Sequence, residues 1–371
     1  MTTLPPQPEA AANTAARTIA TSGFAIRPAL LVPVLAVGFA ALIGLALIAV
    51  IGVSVPSAIA AFVDGTLGSP YAMAASINRS TVFALVGFGF ILANRANLTN
   101  VGGEGQIAVG GIAATAVALY GHVGALPLGL SFILPMLAAV LAGALWGALA
   151  AVLKVKSGTN EVISTLLLSF VGVWLLYWCV QSPALLRKPM TSSATLPESL
   201  EIPDTTQLPL LTGDYSFPLH IGLPITIVIA VVVAVLLSKT VLGLRLRAVG
   251  LNPVASNRAG ISYARTVIFA LAMAGALSGL AGALMLLGEQ YTLKDGFSSG
   301  YGFDGLVAGL LSRGSVTGVI AASLLFGFMR SGGINMEMVA AVPTALVVVI
   351  QGLIVITLAG ATLFIERWER Q

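Results

Sequence analysis

Catalysis needs a nucleophile with a base, or a set of metal ligands, and this sequence assembles neither. His122 and His220 are its only histidines, and no carboxylate stands at a spacing that would make either one half of a catalytic pair. Cys179 is the single cysteine, so a disulfide framework and a cysteine-based metal site are both unavailable. No glycine-rich loop ends in Lys-Ser or Lys-Thr to cradle a phosphate. The chain is not expected to be an enzyme or to hold a cofactor or metal. If ATP drives it, another subunit binds the ATP.

Polarity set inside apolar surroundings is the more informative feature. The stretch NRANLTNVGGEGQ (94–106) places Asn94, Arg95, Asn97, Asn100, Glu104 and Gln106 between hydrophobic segments. Such side chains are costly at membrane depth and usually face a pathway or a neighbouring helix. One reading is that Asn97, Asn100, Glu104 and Gln106 line a route for a polar solute, with Asp304 supplying a further group at a second interruption. The other is that Asn100 and Glu104 cap a helix beginning near Gly105, where they satisfy free amides and complement the dipole. Both remain open at this level. Asn160 and Glu161 suit the start of a helix for the same reason. Gln351 is suited to bonding a neighbouring helix, and Trp174, Tyr177 and Trp178 to an interfacial aromatic belt.

The elements that must position these residues follow from composition. The 371 residues are 57% hydrophobic and 9% charged, where an ordinary soluble domain carries about 25% charge. Water-soluble enzymes, nucleic-acid binders and secreted disulfide scaffolds are thereby disfavoured. Residues 28–53, 105–153, 162–186, 215–238, 266–288 and 338–365 contain no Asp, Glu, Lys or Arg, and roughly 20 apolar residues suffice to cross a bilayer. The expected fold class is an all-α polytopic membrane protein of about ten spans in two similar halves: 28–53, 77–93, 105–120, 129–153, 161–180, 219–238, 266–287, 303–312, 315–330 and 341–362. Two places are read as broken or short helices, 94–106 and 300–314. Interruptions at corresponding places of two halves point to a translocation site.

Orientation follows from basic residues. Lys239, Arg245, Arg247, Arg258 and Arg265 fall in a loop without acidic residues, which the positive-inside rule places in the cytoplasm. Within that loop Asn252 caps and Pro253 opens a short helix that continues through Ala255 and Arg258 and ends at Gly260. Such an element either docks a partner or anchors to anionic lipid. The expected organisation is a disordered cytoplasmic tail (1–27), a transmembrane domain (28–365) with an external loop (181–218) and a cytoplasmic loop (239–265), and a cytoplasmic C-terminus (366–371).

Several motifs occur together in order. The region 68–111, with SPY and NRANLTNVGGEGQ, resembles permease subunits of bacterial ABC importers for nucleosides and simple sugars, where the corresponding text reads close to FRAGLFNIGAEGQ. NEVISTLLLSF (160–170) resembles their NEV-start helix. RAVGLNPVASNRAGI (247–261) resembles the ATPase-contacting coupling helix of the ribose and branched-chain amino-acid branch. GFDGLVAGLLSRGSVTGVIAASLLFG and VVVIQGLIV complete a resemblance over residues 30–360, and the LGSPY entry is similar to the larger of two paired permeases. Departures are Val101 and Gly103 for Ile and Ala, Ser169 for Asn, and Asn94 and Asn97 for Phe and Gly. The resemblance implies a bacterial plasma-membrane complex with a second permease, a cytoplasmic tandem ATPase, and an extracytoplasmic binding lipoprotein. It also implies that Asn252, Pro253, Ala255, Arg258 and Gly260 couple to the ATPase. The rival reading is a secondary transporter driven by an ion gradient. That machinery usually needs intramembrane ionisable groups, for which Glu104 is the good candidate in otherwise charge-free spans.

Overall fold

A computed structural model describes residues 28–127, 129–189 and 196–368. The expected tail 1–27, the last residues 369–371 and part of the expected external loop (190–195) lie outside the described residues. Among the described residues the chain is built of helices, and no strand forms beyond isolated bridges such as Glu198 with Lys294.

In chain order the helices are α1 (Pro28–Val50), α2 (Val55–Thr66), α3 (Pro70–Asn94), α4 (Gly103–Tyr120), α5 (Leu130–Ser157), α6 (Glu161–Gln181) and α7 (Gly222–Lys239). They continue with α8 (Val241–Leu251), α9 (Pro253–Arg258), α10 (Tyr263–Met285), α11 (Tyr301–Leu311), α12 (Val316–Ala340) and α13 (Thr344–Trp368). A π turn, Leu286–Gln290, prolongs α10.

Among the described residues six helices are long and apolar enough to cross a bilayer: α3, α5, α6, α7, α10 with its π turn, and α12. Val37–Val50, Tyr301–Leu311 and Ala345–Thr357 are shorter apolar pieces. The architecture is all-helical and multi-pass, but the expected ten full spans do not emerge from it.

Two helices run beyond the expected spans 77–93 and 315–330. Helix α3 starts at Pro70, because Ser69 Oγ accepts from Ala72 N at 3.0 Å and proline fits the first turn. Arg79 therefore lies inside a 25-residue helix. Helix α12 runs past Arg330 to Ala340. Helix α2 was not anticipated at all, and the basic loop 239–265 folds largely into α8 and α9.

Helices α3 and α10 are buried along most of their length, whereas α5, α6 and α7 present their outer faces. Helix α10 packs against α3, α4 and α5. Gly143 and Gly147 of α5 face Gly275 and Gly279 of α10, and a Cβ on Gly275 would overlap the Gly143 carbonyl. Small residues here let two backbones approach as membrane helices do when packing replaces hydrophobic drive. Trp174 and Trp178 lie exposed on α6, with Tyr177 set edge-on to Trp174 at 5.5 Å.

Candidate functional site

The two interruptions meet inside the protein. Between α3 and α4 the chain turns through 95–102. After the π turn it unwinds through 291–300, where Tyr291, Ser299 and Gly300 take φ of 56°, 41° and 85°. Glu104, in the first turn of α4, reaches across: one carboxylate oxygen accepts from Gly300 N and the other from Gly302 N, each at 2.8 Å. Gly300 immediately precedes α11 and Gly302 lies in its first turn, so the carboxylate satisfies amides that a helix start leaves without partners. The positive ends of α4 and α11 thus converge on one buried carboxylate. Gly302 must lack a side chain, since a Cβ there would overlap the Glu104 backbone. Glu104 does cap a helix, but the helix is α11, 196 residues and more away in sequence.

Asn100 and Gln106 form a closed pair. Asn100 Nδ2 donates to Gln106 Oε1 at 3.0 Å, and Gln106 Nε2 returns the bond to Asn100 Oδ1 at 3.2 Å. Asn100 Oδ1 also accepts from Gly102 N at 3.0 Å. Both residues are buried. Helix α6 clamps the same turn, with Thr165 Oγ1 accepting from Val101 N at 3.1 Å and Ser169 Oγ donating to Val101 O at 3.3 Å. Asn97 is not brought together with them. It lies three residues beyond the end of α3, with φ 56°, and lines a different cavity.

Charges concentrate around Tyr301, the first residue of α11. Arg79 on α3 pairs with Glu289 of the π turn at 2.5 Å and donates to Ser331 Oγ on α12 at 2.7 Å. The Tyr301 ring stacks on Phe83 at 4.8 Å between centroids, and the Arg330 guanidinium lies 5.2 Å from its centroid. Arg330 also donates to Ser299 O at 2.9 Å. Asp304, half-buried one turn into α11, lies within electrostatic range of both Arg330 and Glu104.

A separate cavity of about 280 Å³ is lined by Asn94, Arg95, Asn97, Arg247, Leu251 and Arg313, among others. Next to it stands α9. Asn252 Oδ1 accepts from Ala255 N at 3.0 Å and Pro253 opens the helix. Ser256 turns inward, while Leu251, Val254, Ala255 and Arg258 are exposed, and Gly260 leaves the helix with φ 81°. The short helix therefore has the caps that Asn252, Pro253 and Gly260 predicted.

Other singled-out residues resolve locally. Asn160 caps α6 through Val162 N at 2.8 Å, and Glu161 pairs with Lys154 at 2.5 Å. His220 Nδ1 accepts from Gly222 N at 3.0 Å. Gln351 is buried, and its Nε2 finds no partner among the described residues. No cluster of three or more His, Cys, Asp or Glu that could hold a metal occurs among the described residues.

The model for the branched-chain amino acid transport system permease component matches residues 72–359. The chain belongs to this permease family. It is 31% identical over 333 residues to a guanosine ABC transporter permease, NupP of Bacillus subtilis, covering 90% of this chain and 93% of the relative. The glucose ABC transporter permease TsgB13 of Haloferax volcanii is 34% identical over 310 residues, 81% of this chain and 79% of the relative. The nucleoside ABC transporter permease NupB of Lactococcus lactis is 30% identical over 337 residues, 85% and 89% respectively. No solved structure matches.

In the permease, Arg79, Glu289, Tyr301 and Arg330 were all missed as site candidates. The signal was present for two of them. Ser69-Pro70 and Ser315 are helix starts, and counting a full span from each places Arg79 and Arg330 in helix interiors. Glu289 and Tyr301 gave no local signal, because only the fold brings the π turn beside α3.

Proposed function

We propose that this permease is the membrane-spanning subunit of an ATP-driven importer that carries nucleosides or simple sugars across the bacterial plasma membrane. The observation that supports it most is full-length similarity to permeases named for guanosine, nucleosides and glucose. The pathway reading assigns Asn100, Glu104, Gln106 and Asp304 to the region where the two interruptions meet, with Asn97 nearer the inner opening. The cavity carrying Arg95, Arg247 and Arg313 then faces the cytoplasm, which follows the positive-inside rule and puts both termini inside. Helix α9 docks the cytoplasmic ATPase through Arg258 and the exposed Val254, with the exposed Leu251 at the end of α8 beside it, while Asn252, Pro253, Ala255 and Gly260 shape that helix. A second permease and an extracytoplasmic binding protein complete the assembly.

A gradient-driven carrier is the second reading, and the Arg79–Glu289 pair and Arg330 favour it more than the charge-free runs did, because ionisable groups inside membranes often move ions. Reconstitution separates the two. Uptake of guanosine or glucose is expected to require ATP, the ATPase and the binding protein, and to survive collapse of the proton gradient. Uptake by the permease alone, driven by a pH gradient, would overturn the proposal. Within the complex, Arg258→Glu should abolish ATPase pull-down and uptake while the permease still inserts. Normal pull-down would remove Arg258 from the interface.

A further inference from the structure

We propose that Arg79, Glu289, Arg330 and Tyr301 form a solute site at the N-terminus of α11, closed in this conformation by the Arg79–Glu289 ion pair, and that it takes a neutral, hydroxyl-rich ligand. The inference rests on the transport reading above and names where in the permease the solute is held. Four elements bring the site together: α3, the π turn, α11 and α12.

Two features mark the set as more than a structural salt bridge. First, it is left incomplete. The Nε of Arg79 and the Nε of Arg330 are buried without an acceptor among the described residues, and the neighbouring Asn78 Oδ1 and Gln290 Oε1 are buried without a donor. A helix core has every reason to satisfy such atoms, and unmet atoms on adjacent residues of α3, on the π turn and on α12 leave hydrogen-bonding capacity of both kinds around the set. A hydroxyl donates once and accepts twice, so a sugar or ribose ring can meet both kinds. Secondly, the backbone around it is irregular, with the π turn and the positive φ of Tyr291, Ser299 and Gly300. π turns inside helices occur frequently at functional sites, and irregular backbone at membrane depth persists where it lines a cavity or is buried in protein.

The charges indicate the ligand class. Arg79 is matched by Glu289, and Arg330 has Asp304 within electrostatic range. An anion entering would meet Glu289 and Asp304, and a cation would meet two guanidiniums. A neutral solute disturbs neither balance, and it can open the Arg79–Glu289 contact by offering hydroxyls to both partners.

The test uses the full complex with its ATPase, second permease and binding protein in proteoliposomes, with labelled guanosine and glucose as probes. Glu289→Gln, which keeps the shape and an acceptor, should lower uptake at least tenfold at saturating loaded binding protein, with assembly of the complex unchanged. The exchange Arg79→Glu with Glu289→Arg should restore the thermal stability lost in Arg79→Gln but not the uptake. Restored uptake in the exchange, near-normal uptake in Glu289→Gln, or a loss of uptake that only parallels lost assembly would each overturn the site. If the exchange does not assemble, Glu289→Gln decides. Saturation-transfer NMR on the complex without binding protein should detect guanosine or glucose, with the signal lost in Glu289→Gln. Guanosine monophosphate binding in their place would overturn the neutral class. A wild-type complex that imports neither probe defeats the transport reading instead.

Discussion

At the first interruption, 95–102, polar side chains end on one another. Asn100 and Gln106 exchange two amide bonds, and Thr165 and Ser169 hold Val101 from α6. At the second, 291–300, the backbone takes positive φ at several residues, the Arg79–Glu289 ion pair at the adjoining π turn stands in place of an amide pair, and Gln290 and Arg330 keep atoms without a partner among the described residues. A neutral, reciprocally bonded turn has one low-energy arrangement. A turn held by charges and a borrowed carboxylate has groups to offer elsewhere. The difference separates a fixed frame from the part that can answer to a solute, with Glu104 as the bridge between them.

Removing the bridge should have the largest effect. Glu104→Ala leaves the amides of Gly300 and Gly302 without acceptors, at about 1–3 kcal/mol for each. The melting temperature of the detergent-purified complex should fall sharply, with Glu104→Gln in between because one acceptor oxygen survives. An unchanged Glu104→Ala melting curve would show that the two interruptions are not coupled through this residue.

Next is Asn100→Ala, which strands the Gln106 amide and Gly102 N–H and should cost about 1–3 kcal/mol. Because the two side chains bond each other, adding Gln106→Ala should cost less than its separate effect. Strict additivity in that cycle would break the picture of a closed pair. On the other side of the comparison, Tyr301→Phe keeps the ring on Phe83 but deletes the hydroxyl facing Arg79. Stability should drop by only about 0.5–1.5 kcal/mol while uptake falls several-fold, whereas equal losses in both would make the second interruption as structural as the first. The smallest change is expected for Ser169→Ala, whose bonds to Gly105 N and Val101 O are long, at 3.5 and 3.3 Å. Less than about 1 kcal/mol should be lost, measured by the same melting assay, with normal uptake.

Much of this permease was legible in its residues taken in order. Low charge and long apolar runs determine a multi-pass helical protein, because backbone amides inside a bilayer must be satisfied within each segment. Asn252, Pro253 and Gly260 specify α9, because capping acts over three or four residues. What only tertiary structure decided is where charge ends up. Arg330 looks like a span boundary in the sequence and Arg79 stands just inside the start of one, since an unpaired guanidinium would not stay in a helix core. They stay there because Glu289, Ser331, Ser299 and Tyr301 arrive from distant elements. Glu104 shows the same limit from the other direction. Its position in a first turn announces a cap, but the amides it holds belong to α11, and no local pattern records a partner that the fold alone delivers.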